Sequence, residues 1–459
     1  MSEFDYDVVV IGCGTAGSRA ARVAGQAGAH VLAVDSAEEL GGLCILRGCM
    51  PTKTLLETAH RLHEIRDAER FGIQVPAPTL DFAAHMERMR ALVKRFQRAK
   101  IGGVEAAPHQ LRRGAARFVD AHTVEVDGDP VRAKAFVIAS GSVVRPLPVP
   151  VAAGAPVVDS DAMFELSAAP KTAVVLGAGA VGLEFAQWLA RIGAQVTLIN
   201  RSPILSRVDA ELGLELHAAL AEEMELCVPA TLRSIEVEGG QALVNVVRAD
   251  GHPATYRADL VLNAVGRVPA YEDLGLQALG AHPELPVSPT QRTSLPHVFV
   301  AGDATGRRMI LHEANLEGEV AGRNAARVAG VLGGDLESYD AGIPPVDVIF
   351  SDPPFANVGC SQQTCEREGT PYRVATKRFP EQGRGIVMGA KHGAIRLLAE
   401  PGGGKVLGCQ IVGPRADDLI HLPATIMSLG ATVRDMHRVP WYHPTLAEAF
   451  IEVTRELSS

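Results

Sequence analysis

Among the 459 residues no uninterrupted apolar run approaches the roughly 20 residues needed to cross a bilayer, so no membrane-spanning segment is expected. A basic leader is also missing. The opening, MSEFDYDVVVIG, carries acids and runs straight into an apolar stretch, which predicts no signal peptide. Positive charge is not in excess either: the formal net charge is −9, which argues against a nucleic-acid partner. Cysteine is sparse. Seven in a chain of this size, without a secretory signal, do not make a disulfide scaffold. The expected location is a reducing cytoplasm, where a disulfide is catalytic rather than structural. No metal site is expected. What is present is a globular composition, 47% hydrophobic and 21% charged with 46 glycines, in a chain too long for a single core.

One stretch organises the rest. Residues 41–53 read GGLCILRGCMPTK, so Cys44 and Cys49 lie four residues apart between glycines and a Pro-Thr-Lys. Two such thiols beside an electron carrier can cycle between dithiol and disulfide, taking up two electrons. In isolation the same spacing describes two buried structural cysteines. The surrounding motifs decide between these readings.

Residues 7–11, DVVVI, form an apolar β-branched run followed by Gly12-Cys13-Gly14-Thr15-Ala16-Gly17 and a helical pattern; a second apolar strand ends at Asp35. This is the dinucleotide-binding order of strand, G-x-G-x-x-G, helix, strand and acid. Gly12 permits the turn, Gly14 lets a pyrophosphate approach, and Gly17 lets helix and strand pack. The helix N-terminus offers free N–H groups to the phosphates, and Asp35 accepts hydrogen bonds from a ribose. The unit recurs: strand 172–176, Gly177-Ala178-Gly179-Ala180-Val181-Gly182, helix, strand 195–199. Two units imply two dinucleotides. Aligned on their first glycines, Asp35 stands opposite Asn200, followed by Arg201, with Arg207 further along the loop. An acid there would repel a 2′-phosphate, whereas arginine clamps one, so the second site is expected to take NADP(H) in preference to NAD(H).

Residues 55–70 and 82–100 read as amphipathic helices, the second with a solvated basic face. Short strands follow, ending at residues 136–142, FVIASGS, and a proline-rich connector marks the first boundary. DLVLNAVG at 259–266 closes the second unit. A strand at 297–300 leads to Ala301-Gly302-Asp303-Ala304 and a helical pattern over 312–331, and a Gly/Pro stretch at 333–345 separates a final segment ending in WYHPTLAE.

This order of motifs resembles the pyridine nucleotide–disulfide oxidoreductases, the flavoprotein family of dihydrolipoamide dehydrogenase, glutathione reductase and mercuric reductase. The resemblance spans essentially the whole chain. It implies an α/β fold with two Rossmann-like dinucleotide-binding domains, for FAD and NAD(P), and a C-terminal α+β dimerisation domain. The implied division is 1–148 for the first part of the FAD domain, 149–268 for the NAD(P) domain, 269–342 for a segment completing the FAD domain, and 343–459 for dimerisation. It further implies that Gly12, Gly14, Gly17, Asp35, Gly42, Lys53, Ser140, Gly141, Asp303 and Ala304 hold FAD, with Asp303 on the ribityl chain. Gly177, Gly179, Gly182, Arg201, Arg207 and Gly266 would hold the coenzyme. Cys49 would be the sulfur nearest the flavin and Cys44 the interchange thiol. Lys53 and Glu184 would pair near the flavin's reactive nitrogen. His443, oriented by Glu448, would be the acid–base group, contributed across a homodimer. The chemistry of exchange agrees, because the nucleophile must be a thiolate and the departing thiolate needs a proton.

Departures from the family pattern are Leu43, Leu46 and Arg47 in the cysteine motif and Trp441-Tyr442 before His443. The chain ends in Arg-Glu-Leu-Ser-Ser rather than paired cysteines, which argues against mercury as substrate and against a C-terminal redox pair. Cys360 and Cys365 repeat the four-residue spacing without the flanking motif and read as structural. The expected activity is an FAD-dependent NAD(P)H:disulfide oxidoreductase, closest to dihydrolipoamide dehydrogenase, on a small disulfide or dithiol, free or as a lipoyl group on a protein. The rivals are a glutathione-reductase-like NADPH enzyme, a flavin-only NAD(P)H oxidase or quinone reductase, and a lipoyl-protein-docking subunit.

Overall fold

The computed structural model describes residues 3–280, 285–339 and 344–459. The chain forms two compact units: Met1–Thr54, Met86–Arg145 and Gly266–Asp340 make one, and Leu55–His85, Pro146–Val265 and Ala341–Ser459 the other. The expected NAD(P) segment thus lies mostly in the second unit with the expected dimerisation segment, and residues 55–85 group with it. The expected boundary at 342/343 lies outside the described residues.

In the first unit a parallel sheet runs in the order Gln110–Arg113, Val31–Asp35, Tyr6–Ile11, Asp129–Ile138, with Val298–Val300 on the far side of Asp129–Ile138. The alternation of Tyr6–Ile11 serves two cores. Val8 and Val10 pack on one side with Ala16, Ala20 and Ala321, while Val9 and Ile11 pack on the other with Phe118, Phe136 and Ile138. Burial of this kind is worth about 1.5–3 kcal/mol for each large apolar side chain. Helices Thr15–Gln26 and Leu311–Val328 meet through small residues. A Cβ on Gly318 would lie 2.3 Å from the Ala16 carbonyl oxygen, and one on Gly322 would lie 2.4 Å from that of Ala20.

In the second unit a parallel sheet has the order Glu225–Cys227, Gln195–Ile199, Thr172–Leu176, Leu260–Asn263, Val157–Val158. A three-stranded antiparallel sheet, Ala230–Glu238 to Ala258, accompanies it. The C-terminal segment is an antiparallel sheet in the order Val346–Ile349, Phe355–Gly359, Val406–Val412, Ala394–Ala399, Arg373–Arg378, covered by helices that include Ala449–Ser458. The expected helix over 55–70 is part of a longer one, Cys49–Arg66, and that over 82–100 runs Phe82–Glu105.

Candidate active site

The two glycine-rich turns are built alike. A Cβ on Gly12 would meet the Ala139 carbonyl oxygen at 2.3 Å, and one on Gly177 would meet that of Ala264 at the same distance. Both residues have positive φ, +98° and +110°. The third glycines pack on the first: a Cβ would come within 1.7 Å of the Gly12 oxygen from Gly17 and 1.9 Å of the Gly177 oxygen from Gly182. The middle glycines differ from both. Gly14 and Gly179 are the N-caps of helices Thr15–Gln26 and Ala180–Arg191, neither cap has a side-chain bond, and a Cβ on Gly179 meets nothing within 4 Å. Two helix N-termini without side-chain caps suit a pyrophosphate each.

Strand register places the ribose-side residues. Ile11 pairs with Val34, and Leu176 with Ile199, so Asp35 and Asn200 occupy the same point in the two units. The Asp35 carboxylate accepts hydrogen bonds from the Cys13 N–H at 2.6 Å and the Ala37 N–H at 2.8 Å. Asn200 instead donates to the Ser202 carbonyl at 2.7 Å. Arg201 and Arg207 are exposed, and their side chains make no hydrogen bond or ion pair among the described residues.

The first unit also carries the far end of a cradle that fits FAD. The Ser140 hydroxyl oxygen is buried without a partner among the described residues, and Gly141, at φ +79°, faces open space. Gly42 has φ +74° and lies against Gly14, where a Cβ would come within 2.8 Å. Asp303 and Ala304 sit on the turn Gly302–Thr305 after strand Val298–Val300. Sequence reading missed how this turn is fixed. Ser142 donates to Asp303 at 2.6 Å, and Arg267 donates to the Ser142 hydroxyl and carbonyl oxygens, both at 2.8 Å. Beneath it the Gly302 N–H donates to the buried Glu317 carboxylate at 2.7 Å, and Tyr271 donates to the Ala304 carbonyl. Arg267 directly following Gly266, and an acid within the helix behind AGDA, were the available signals. Gly266 itself has φ +121° and faces open space.

Cys44 lies in the short helix Gly42–Leu46, and Cys49 opens helix Cys49–Arg66. Gly48 between them packs so tightly that a Cβ would sit 3.1 Å from the Cys44 Cα. Both cysteines are partly buried thiols, and they are hydrogen-bonded to one another. That bond first, and burial second, hold the Cys44 thiol well above its ordinary range, with the Lys53 charge acting in the opposite direction. Two adjacent sulfurs do not both ionise. The N-terminus of the 18-residue helix favours negative charge on Cys49 rather than Cys44. Cys44 therefore needs a base. Lys53 lies half-buried on the same helix; Glu184, in the second unit, is buried and accepts from the Phe350 N–H at 3.0 Å.

His443 and Glu448 are brought together. The imidazole Nδ1 is 2.9 Å from Glu448 Oε1, while Glu448 Oε2 accepts from the Thr445 N–H at 2.9 Å. These two bonds, the Thr445 bond first, hold the Glu448 carboxyl below its usual range. The His443 side chain is 80% exposed, so its Nε2 edge is presented outward. Pro444 does not start a helix; the chain enters the 3₁₀ turn Leu446–Glu448 and then helix Ala449–Ser458.

The sequence signature of the pyridine nucleotide-disulphide oxidoreductases matches residues 6–318, and that of the family's dimerisation domain matches residues 346–454. A dihydrolipoyl dehydrogenase of Thermus scotoductus is 34% identical over 98% of this chain and 97% of its own. One from Geobacillus stearothermophilus is 31% identical over 98% and 95%. The solved flavoprotein disulfide reductase RclA of Escherichia coli shares the fold, with a TM-score of 0.83 at 22% identity over 98% of this chain and 99% of its own. No helix among the described residues is long and apolar enough to cross a membrane. The chain belongs to the pyridine nucleotide-disulphide oxidoreductase family, as a homodimeric flavoenzyme that binds FAD and passes electrons between a nicotinamide coenzyme and small disulfides.

Proposed function

We propose that the enzyme interconverts a lipoamide-type dithiol and its disulfide, as the relatives' name dihydrolipoyl dehydrogenase suggests, with NADP(H) as coenzyme. The observation that carries the thiol chemistry is the presence of two complementary parts: a hydrogen-bonded cysteine pair with one sulfur at a helix N-terminus, and an exposed imidazole backed by a carboxylate. The flavin, when bound, supplies a two-electron relay between nicotinamide and sulfur. Residues 1–148 and 269–342 would hold it, 149–268 the coenzyme, and 343–459 the dimer contact. In the cradle, Gly12, Gly14 and Gly17 would receive the pyrophosphate, Asp35 the adenosine ribose and Asp303 the ribityl hydroxyls. Gly42, Ser140, Gly141 and Ala304 line the remainder. Lys53 and Glu184 set the charge on the coenzyme side.

With the pair reduced, His443 of the partner subunit removes the Cys44 proton, and the thiolate attacks one substrate sulfur. The substrate S–S bond breaks, and the leaving thiolate takes that proton back. Cys49 then attacks Cys44, freeing the second substrate thiol and closing the Cys44–Cys49 disulfide. Glu448 keeps the imidazole turned outward. Exposure of His443 on the C-terminal segment supports a role across the dimer.

The coenzyme assignment rests on Asn200, Arg201 and Arg207. An amide replaces the acid that would repel a 2′-phosphate, and two exposed arginines stand in the same loop. The same arginines favour a second reading, an NADPH-driven reductase of a glutathione-type disulfide. A reducing cytoplasm suits either. Lipoyl groups carried on a partner protein would reach the cysteine pair as free lipoamide does.

The test is steady-state turnover of NADPH and NADH by the FAD-loaded dimer with lipoamide and with glutathione disulfide, and of NADP⁺ and NAD⁺ with dihydrolipoamide. Lipoamide turnover with NADPH preferred supports the proposal. Turnover confined to glutathione disulfide selects the second reading, and full disulfide turnover by Cys44→Ser would overturn both. Removing a bidentate phosphate contact should cost about 1.5–3 kcal/mol, so Arg201→Ala with Arg207→Ala should raise the KM for NADPH at least tenfold and leave that for NADH unchanged.

A further inference from the structure

The other C-x₄-C pair has features the catalytic chemistry does not use. Cys360 follows strand Phe355–Gly359 and is partly exposed, while Cys365 is buried in helix Gln362–Glu368. Their side chains are hydrogen-bonded to each other. Cys409, on the neighbouring strand Val406–Val412, is fully buried in the apolar core. The four residues enclosed between Cys360 and Cys365 are Ser361, Gln362, Gln363 and Thr364, and two of them reach the coenzyme side of the same unit. Gln363 Nε2 donates to the Ser206 carbonyl at 2.8 Å, inside the loop that carries Arg201 and Arg207. Gln362 Oε1 accepts from Arg396 at 2.7 Å, and Arg396 Nε lies 2.8 Å from Asp209, which caps helix Ala210–Ala221 at the end of that loop.

We infer that Cys360 and Cys365 form a second, regulatory dithiol–disulfide pair that adjusts coenzyme affinity through the Gln362–Gln363 turn. The oxidant is a low-molecular-weight disulfide, the class of molecule the family handles. Cys360, the accessible thiol, loses its proton and attacks one sulfur of RSSR; that bond breaks and one thiol, RSH, leaves with the proton. Cys365 attacks the Cys360 sulfur of the mixed disulfide and displaces the second RSH with its own proton. Two protein thiols are oxidised and one disulfide is reduced to two thiols. Closing the ring pulls Cys360 and Cys365 to bonding distance around the turn, which moves the two glutamines relative to Ser206 and Arg396. Burial holds both thiols above their ordinary range, with Glu368 adding to it at Cys360, so the exchange runs faster as pH rises.

The coupling rests on the reading that the loop from Arg201 to Arg207 holds the coenzyme, and the experiment separates the two. Cys44→Ser holoenzyme, in which the catalytic pair cannot close, is equilibrated in glutathione/glutathione disulfide buffers of graded ratio. Differential alkylation and peptide mass mapping report the thiols, and titration with NADP⁺ and with NAD⁺ reports affinity. Expected is a Cys360–Cys365 disulfide at the oxidising end and a change of about fivefold or more in coenzyme Kd, abolished in added Cys360→Ser or Cys365→Ser. Gln363→Ala should still form the disulfide but lose most of the affinity response. Thiols that stay alkylatable at every ratio overturn the redox site. A disulfide that forms without any change in Kd, or a response that survives Gln363→Ala undiminished, overturns the coupling. Binding of neither nucleotide refutes the coenzyme reading and the coupling together, while the peptide map still decides the redox site.

Discussion

In the proposed mechanism His443 and Cys44 would divide a single proton transfer, and their surroundings suit each to its half. Cys44 keeps its proton because its hydrogen bond to Cys49 and its burial favour the neutral thiol, and His443 stands exposed with a carboxylate behind it. His443→Gln should therefore lower disulfide turnover about 10²–10⁴-fold while leaving rapid flavin reduction by the coenzyme intact, read by stopped-flow absorbance. Loss of both would mean the imidazole supports structure rather than chemistry. Glu317 gives a second residue-scale expectation. Burial holds its carboxyl up at about 7, against 4.5 ordinarily, helped by Glu313 and Asp303 and opposed by the Gly302 N–H and Arg307. The folded value lies above the unfolded one, so the folded state binds the extra proton. Stability from that proton is full below pH 4.5 and is lost as pH rises through about 7. Thermal unfolding of Glu317→Gln holoenzyme across this window should show a shallower fall in Tm than wild type; parallel curves would rule the linkage out.

The turn-plus-helix units make a sharper distinction than any single side chain. Gly182 and Gly179 belong to one motif but face opposite ways, towards the Gly177 carbonyl and towards open space. Gly182→Ala should destabilise the fold by more than about 2 kcal/mol, through a clash the backbone must move to relieve. Gly179→Ala should leave Tm unchanged and weaken coenzyme binding, measured by titration. A reversed pattern would contradict the turn geometry. Both dinucleotide units were legible because their signal is local: β-branched runs, glycines at fixed offsets, and an acid or amide at a strand end. The alignment of Asp35 with Asn200, read from sequence alone, is the register of the two sheets. The support of Asp303 was hard to read, because Ser142, which bonds it, and Arg267, which bonds Ser142, come from separate parts of the chain. The Gln363–Ser206 bond is long-range in the same way. The Cys360–Cys365 spacing was visible in the sequence, but without a flanking motif it read as structural.

At the scale of the whole molecule, the proposed site needs two chains. Cys44→Ser and His443→Gln homodimers should each be inactive on disulfides. Dissociated and reassembled at random, they should recover about a quarter of wild-type turnover, because hybrids contain one site with both groups intact. No recovery, with hybrids verified by mass, would put His443 and Cys44 of one chain in the same site. The paired turns carry a further consequence. FAD and a nicotinamide dinucleotide share an adenosine diphosphate half, and turns whose close contacts at the first and third glycines agree so nearly offer that half two similar berths. Loading is then a problem of sorting, and under the proposed NADP(H) assignment it would be decided where two strands end: the carboxylate of Asp35 would turn away a 2′-phosphate, and the amide of Asn200 would admit one.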